Sequence, residues 1–404
     1  MSTLSDIRKQ LEIPTRLGKA IPSYLISLLN DTEKHSLTFA SSQSGLAPSQ
    51  FSRLLSGHKE IAFKNLNRLA RKKLKKLLRT RKFLTPGVPW TVAIIIDATL
   101  HERSSAKIEN AQKFNHGNGW VIGHQWTNIV LLINGEVIPL PPIPFHTSRY
   151  AKKLGIEYKT EPEMIIDFLA DTNWEELLPG VSKEEIVVLM DSGYDNKKLQ
   201  NFIQMQGWTF ICSIKKSRSV YTETQGIQRV DAFFKNTRKI GQWKTVRTNS
   251  GKGRREFRVR ILTGVMKGTD FQVSLACSEK NYGDRLYLAC SFERATEGII
   301  ARTYKLRWTV EIFHRNIKSY LGFQDVGCEK FESVMSHVYW VYCAYILSSE
   351  LSRESLSFFP SRKALRNRLE DEKLGLLLKM NARADSKKAI AKYYSSVRTK
   401  LGVA

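Results

Sequence analysis

Three acidic side chains, Asp97, Asp191 and Glu311, stand where the chain could do metal-dependent chemistry on phosphate. Asp97 closes the β-branched run TVAIIID (91–97), and Asp191 closes EIVVLMD (185–191). A carboxylate at the end of a buried strand lies at the rim of a sheet, where a cation can reach it. Either acid alone is better explained as a strand-end cap. Together, in an acid-rich stretch, they point to a divalent-metal site. Asp195 is a neighbouring decoy, placed to N-cap the helix that follows.

The third acid belongs to YKLRWTVEIFHRNIK (304–318). Wound as one helix with Tyr304 at 0°, Arg307 falls at about 300°, Glu311 at about 340° and Lys318 at about 320°. The four side chains then share a stripe about 60° wide and roughly 21 Å long. Glu311 can ligate metal, while Arg307 and Lys318 can hold phosphates on either side of it. The Tyr304 hydroxyl can bond a further phosphate. Ordinary Arg–Glu pairing at i, i+4 explains Arg307 and Glu311 but not the whole stripe. Trp308, at about 40° on the same wheel, reads as core packing rather than base stacking.

The charge distribution gives these residues a polyanionic partner. The chain of 404 residues carries a net +26, with a pI near 9.8. By segment the net charge is +12 over residues 1–90, −5 over 91–213, +10 over 214–300 and +9 over 301–404. Basic flanks around an acidic segment suit modules that grip a phosphate backbone beside a carboxylate site. Ten Lys and Arg lie between Lys64 and Lys82 with no acid among them. They share a helix, about Lys59 to Arg81, with an apolar stripe of Phe63, Leu66, Ala70, Leu74, Leu77 and Leu78. Lys72, Lys73, Lys75 and Lys76 on the basic face are expected to contact DNA backbone.

The elements that must position the acids are legible in outline. A first helix starts near Ser49 and ends at Gly57, and Pro86-Gly87 and Pro89 mark a linker. After TVAIIID, TNIVLLI (127–133) reads as a strand. Asn134-Gly135 reads as a hairpin turn, and EVIPL (136–140) as the next strand. Helices are expected over Glu161–Leu169 and Asn196–Gln206, with WTFICSI (208–214) as a further strand. Residues 215–297 hold short strand-like runs and little helix, and the chain is mainly helical from about Ile299. The order predicts an α/β, RNase H-like core interrupted by a β-rich insertion, with helical N-terminal and C-terminal regions. The corresponding domains are 1–88 (helical, DNA-binding), 89–214 (first part of the core), 215–297 (insertion), 298–350 (second part, with the Glu311 helix) and 351–404 (helical).

Tyr304-x2-Arg307-x3-Glu311-x6-Lys318 resembles the Y-R-E-K signature of bacterial insertion-sequence D-D-E transposases of the IS-four type. Asp97 and Asp191 match the first two acids of that family's triad, with separations of 94 and then 120 residues. The resemblance covers about residues 45–345. It implies metal-dependent cleavage at transposon ends and strand transfer into target DNA. It also implies two Mg²⁺ ions on Asp97, Asp191 and Glu311, with Mn²⁺ able to substitute, and phosphate placement by Tyr304, Arg307 and Lys318. The implied partners are double-stranded DNA, as terminal repeats and as target, and a second copy of the chain in a synaptic homodimer. An RNase H-like nuclease or resolvase that cuts without joining is the alternative. A DNA-binding regulator with structural acids is a third reading.

Other signals are weaker. His101, His116, His124 and His146 lack the H-E-x-x-H spacing of a zinc site. The run at Gly251–Arg255 reads as a basic hairpin tip rather than a phosphate loop. Five cysteines without a close pair argue against a disulfide framework. The N-terminus has no apolar segment of a signal peptide, and Val338–Leu347 is too short to span a bilayer. A cytoplasmic, nucleoid-associated protein without a membrane partner is expected.

Overall fold

The computed structural model describes residues 3–30, 32, 34–105, 107–115, 119–223, 226–237, 242–250, 253–280, 284–351 and 358–381. His116 and the Gly251–Lys252 tip lie outside the described residues, as does the end of the C-terminal region beyond 381. The chain opens with helices α1 (Thr3–Gln10), α2 (Ala20–Leu29), α3 (Leu37–Ser44), α4 (Pro48–Gly57) and α5 (Lys59–Leu78). Strands β1 (Val92–Glu102), β2 (Gln112–Asn115), β3 (Trp120–Ile133), β4 (Glu136–Pro139) and β5 (Ile143–Pro144) follow. Then come α6 (Ser148–Leu154), α7 (Glu161–Asp171), α8 (Trp174–Leu177), β6 (Ile186–Met190), α9 (Lys197–Met205) and β7 (Thr209–Ile214). The next stretch holds β8 (Ser219–Thr222), β9 (Gly226–Arg229), α10 (Val230–Asn236), β10 (Lys244–Ser250), β11 (Gly253–Met266), β12 (Gln272–Lys280) and β13 (Asp284–Cys290). Helices α11 (Glu297–Lys305), α12 (Trp308–Tyr320), α13 (Phe331–Leu351) and α14 (Phe358–Asn381) complete it.

Two compact units are drawn from discontinuous stretches. The sheet unit is Lys73–Leu100 with Gln125–Phe313. Its centre is parallel: β1 pairs with β6, and β6 with β7. Val92–Ile96 and Ile186–Met190 are buried along their whole length, which is why they read as unbroken apolar runs rather than as alternation. The insertion strands join this sheet instead of forming their own. β13 pairs antiparallel with β7, and β12 and β11 extend the order outward. The β3–β4 hairpin closes on Asn134 (φ 53°) and Gly135 (φ 80°), with Ile133 opposite Glu136. Two successive positive φ values define the type I′ turn that Asn-Gly favours. The Asn134 side chain also donates to the Leu77 and Thr80 carbonyls (3.2 Å each), closing the end of α5. Strand β2, polar and alternating (QKFN), escaped the sequence expectation, and β3 begins seven residues before the run that announced it.

Helix α5 follows its predicted stripe, with Leu66, Ala70, Leu74, Leu77 and Leu78 buried, while Phe63 is exposed. Its basic face is less uniform than expected. Lys73 is buried and pairs with Glu136 at 2.6 Å. That removes it from the set of backbone-contacting lysines.

The helical unit comprises Met1–Lys72, His101–His124 and His314–Ala404. α13 is its centre, packed by α1, α2, α4 and α14. A helix surrounded on all sides is apolar all round, which accounts for the Val338–Leu347 run. Among the described residues no helix is long and apolar enough to cross a membrane. Several histidines are buried here. His337 bonds the Tyr24 hydroxyl (2.7 Å) and the Gly322 carbonyl (2.9 Å), and His124 bonds the Glu109 carbonyl (2.8 Å). His101 lies 5.8 Å from His124, centroid to centroid. Burial lowers His337 and His124 to about 4 and holds His101 well below the usual imidazole range.

Folded imidazoles that refuse protons leave the unfolded chain to bind them below its own pKa of 6.5. Stability is therefore complete above pH 6.5 and lost as pH falls toward 4. The urea midpoint should drop between pH 7.5 and pH 5, and a constant or rising midpoint would contradict this. Lys73→Ala strands a half-buried Glu136 and should cost about 1–3 kcal/mol. Lys75→Ala on the exposed face should stay within about 0.5 kcal/mol. Denaturant melts of the two variants make the comparison.

Candidate active site

The register of β1 on β6 sets the site. Ile96 is opposite Met190 at the end of the paired stretch, so the next residue on each strand is Asp97 and Asp191. Neighbouring strands lie about 4.8 Å apart, so parallel pairing sets the two acids side by side. The expectation that Asp97 ends its strand is corrected: β1 runs on to Glu102. What ends at Ile96 is the pairing with β6, and that alone brings Asp97 to the rim. Asp191 does leave its strand. It caps the 3-10 turn Ser192–Tyr194 by accepting from the Gly193 N–H at 2.7 Å. A methyl group on Gly193 would sit 3.0 Å from that carboxylate oxygen, so the residue type keeps Asp191 uncrowded.

Glu311 arrives on α12, but not on the single helix the wheel assumed. The chain breaks between α11 and α12 at Leu306–Arg307. There Leu306, Arg307, Thr309 and Val310 each donate to the carbonyl three residues back (2.9–3.1 Å). Three-residue turns advance each side chain by more than an α-helix does, so the stripe of about 60° does not hold across the break. Arg307 sits at the turn itself. Its guanidinium pairs with Glu311, lies 3.7 Å from Asp97, and rests 6.0 Å from the Tyr304 ring centroid. Tyr304 is largely buried and bonds Ser213 through its side chain, and burial pushes its hydroxyl up to about 12.

Asp97 senses the other two carboxylates. Burial pushes the Asp97 carboxyl up to about 7; Arg307 opposes the rise, while Asp191 and Glu311 add to it. Arg307 is held above its ordinary value, against the effect of its own burial, by Tyr304, Asp97 and Glu311. Among the described residues no three His, Cys, Asp or Glu side chains are drawn into a closed metal cage; here Arg307 stands among the acids. The residues nevertheless fit a divalent cation. All three donors are hard oxygens of the kind Mg²⁺ selects, and a positive group already occupies the space between Asp97 and Glu311.

The other sequence-selected residues are placed as follows. Lys318 lies two turns beyond Glu311 on α12, half-buried in the helical unit. Burial lowers its pKa and Glu102 opposes the shift. Lys72 donates to Gln10 (2.6 Å), and Lys75 and Lys76 are exposed. Trp308 is 59% exposed, which corrects its assignment to the core. Asp195 does not cap α9. The neighbouring Asn196 accepts from the Lys198 and Leu199 N–H groups, while Asp195 is buried against Arg218 at 3.5 Å. Sequence reasoning missed Glu161, which accepts from Tyr194, Thr127 and Gln125.

A sheet presenting paired aspartates at the end of its parallel strands, with a third carboxylate on a following helix, defines an α/β protein with an acidic site. Residues 146–347, half of the chain, match the family described as the transposase DDE domain. The chain belongs to that transposase family. The matched span includes Asp191, Tyr304, Arg307, Glu311 and Lys318, whereas Asp97 precedes it. No curated protein matches the chain.

Removing the positive group tests this reading of the charges. Arg307→Gln leaves carboxylates facing one another without a counter-charge. In a chelator it should lose about 1 kcal/mol, or roughly 1–2 °C in thermal midpoint, and millimolar Mg²⁺ should restore more of that loss than it adds to wild type. An unchanged midpoint for Arg307→Gln in chelator would show that Arg307 neutralises nothing there, and midpoints insensitive to Mg²⁺ in both proteins would show that the acids take up no cation.

Proposed function

We propose that this chain cleaves phosphodiester bonds at the ends of its own mobile element and joins the freed 3′ ends to target DNA, as an IS-four-type transposase on an RNase H-like core. The observation that carries the reading is the adjacent register of Asp97 and Asp191, coupled through Arg307 to Glu311. Two Mg²⁺ ions held by these acids, or Mn²⁺ in their place, would polarise the scissile phosphate, activate a water and stabilise the leaving 3′ oxygen.

The side chains divide the remaining work. Asp97 and Asp191, fixed by strand pairing and by the Gly193 N–H, present oxygens at a set spacing. Glu311, one turn beyond Arg307, adds a third from α12. Arg307 offers a forked donor to a phosphate adjoining the cut. Tyr304, under the guanidinium, limits its swing, and Lys318 reaches a phosphate farther along α12. Lys72, Lys75 and Lys76 bind backbone away from the cut; Lys73 does not take part. The basic N-terminal residues 1–88 and the insertion 215–297 hold the DNA, and two copies of the chain bring two ends together. Such a protein acts on the nucleoid in a bacterial cytoplasm.

The experiment uses a labelled duplex carrying an end of the encoding element, a supercoiled target and Mg²⁺. Asp97→Asn, Asp191→Asn and Glu311→Gln should each abolish cleavage and leave end binding within about twofold. Ca²⁺, less demanding in geometry, should support binding without cleavage. Near wild-type cleavage by any one variant would strike that residue from the site, and cutting without joining would reduce the activity to that of a nuclease.

A further inference from the structure

The turn that carries Asp191 is tied down by a part-buried network that no metal-ligating role requires. Tyr194 closes the turn, its N–H donating to the Asp191 carbonyl at 3.2 Å. Its side chain is 5% exposed, and its hydroxyl donates to Glu161 at 2.9 Å. Glu161 is the first residue of α7, yet it takes no part in capping that helix; Thr160 and Glu163 form the capping box. Its two oxygens are filled from elsewhere. One accepts from the Thr127 hydroxyl at 2.6 Å as well as from Tyr194, and the other accepts from the Gln125 amide at 2.8 Å. Both donors lie on β3, the neighbour of β1 in the sheet. A single carboxylate thus links the strand next to Asp97 with the turn that bears Asp191.

We propose that Glu161 and Tyr194 are positioning residues that lock the Asp191 turn to β3 and thereby fix the separation of the Asp97 and Asp191 carboxylates. This rests on the reading that those two acids share cations. Glu161 acts through the turn rather than on substrate or cation; protein donors take three of the roughly four acceptor positions of its carboxylate. Its carboxylate accepts from the buried phenol and the part-exposed amide; without it the turn keeps its own backbone bonds, the Gly193 N–H and the Cys212 thiol on the Asp191 carbonyl. Partners that orient ligating carboxylates are worth about 10–100-fold in metal affinity or activity when removed.

The test uses the full chain and two readouts. The first is Mn²⁺ binding, followed by the electron paramagnetic resonance of the free ion, with Asp191→Asn as the control that loses the site. The second is single-turnover cleavage of an end duplex at saturating protein, against Mg²⁺ concentration. Tyr194→Phe removes only the hydroxyl, and Glu161→Gln keeps the side-chain shape. Each should weaken Mn²⁺ binding about tenfold or more and raise the Mg²⁺ needed for half-maximal cleavage, with end binding unchanged. The double variant should be no worse than the poorer single, since the two act as one unit. Unchanged Mn²⁺ affinity in both single variants overturns the proposal, even if their thermal midpoints fall, because a merely structural network would lower only the midpoint. A wild type that binds Mn²⁺ at Asp191 but fails to cleave would sink the transposition reading and leave this one standing.

Discussion

Two carboxylates, one residue past the end of the pairing of two parallel strands, repel each other, and burial makes Asp97 harder to ionise. The rest of the sheet unit is arranged around that conflict. β-Sheet pairing supplies the rigidity: Val92–Ile96 and Ile186–Met190 are buried along their full length, so neither strand can slip without exposing an apolar run. The break between α11 and α12 supplies the charge. Placing Arg307 in a three-residue turn, rather than on a continuous helix, aims its guanidinium at Asp97 while leaving it one turn from Glu311. The free chain is thereby able to keep three acids near one another.

On the proposed function, the same charge links stability to activity. A guanidinium that neutralises the acids in the free protein would be well placed to turn toward phosphate once a cation took over that task. Arg is suited to both roles because it stays charged when partly buried and can meet carboxylate or phosphate with two parallel donors. Lys would do neither as well: its single ammonium on a flexible stem cannot bridge two acids by a planar fork.

How much of this was legible in the sequence depended on the range of the interaction. Asp97 and Asp191 were visible because a buried parallel strand announces itself as an apolar run and the acid ends it. The Asn134-Gly135 turn and the α5 stripe were equally local signals. The helical wheel failed at Leu306–Arg307, since periodicity assumes a constant 3.6 residues per turn and nothing in the residue types marks a three-residue turn. Lys73 looked like its neighbours because its partner, Glu136, is remote in the chain. Asp195 and Asn196 are adjacent and chemically alike, and only geometry decided that Asn196 caps the helix while Asp195 meets Arg218.

Glu161 shows the limit most sharply. A sequence reader finds the Thr160–Glu163 capping box and stops, since the helix start is then explained. The extra acid at the first helical position is ordinarily credited to the helix dipole. In the fold its oxygens face inward to Thr127, Gln125 and Tyr194 instead. It satisfies the part-exposed Gln125 amide and two donors on buried residues, the Tyr194 phenol and the Thr127 hydroxyl, which would otherwise carry the cost of an unpaired polar group. That cost stiffens the network: moving the Asp191 turn away from β3 pulls the Tyr194 phenol off Glu161, which Thr127 and Gln125 hold to β3. Stiffness of this kind is what a pair of carboxylates needs if they are to receive ions at a fixed spacing rather than close on each other or drift apart.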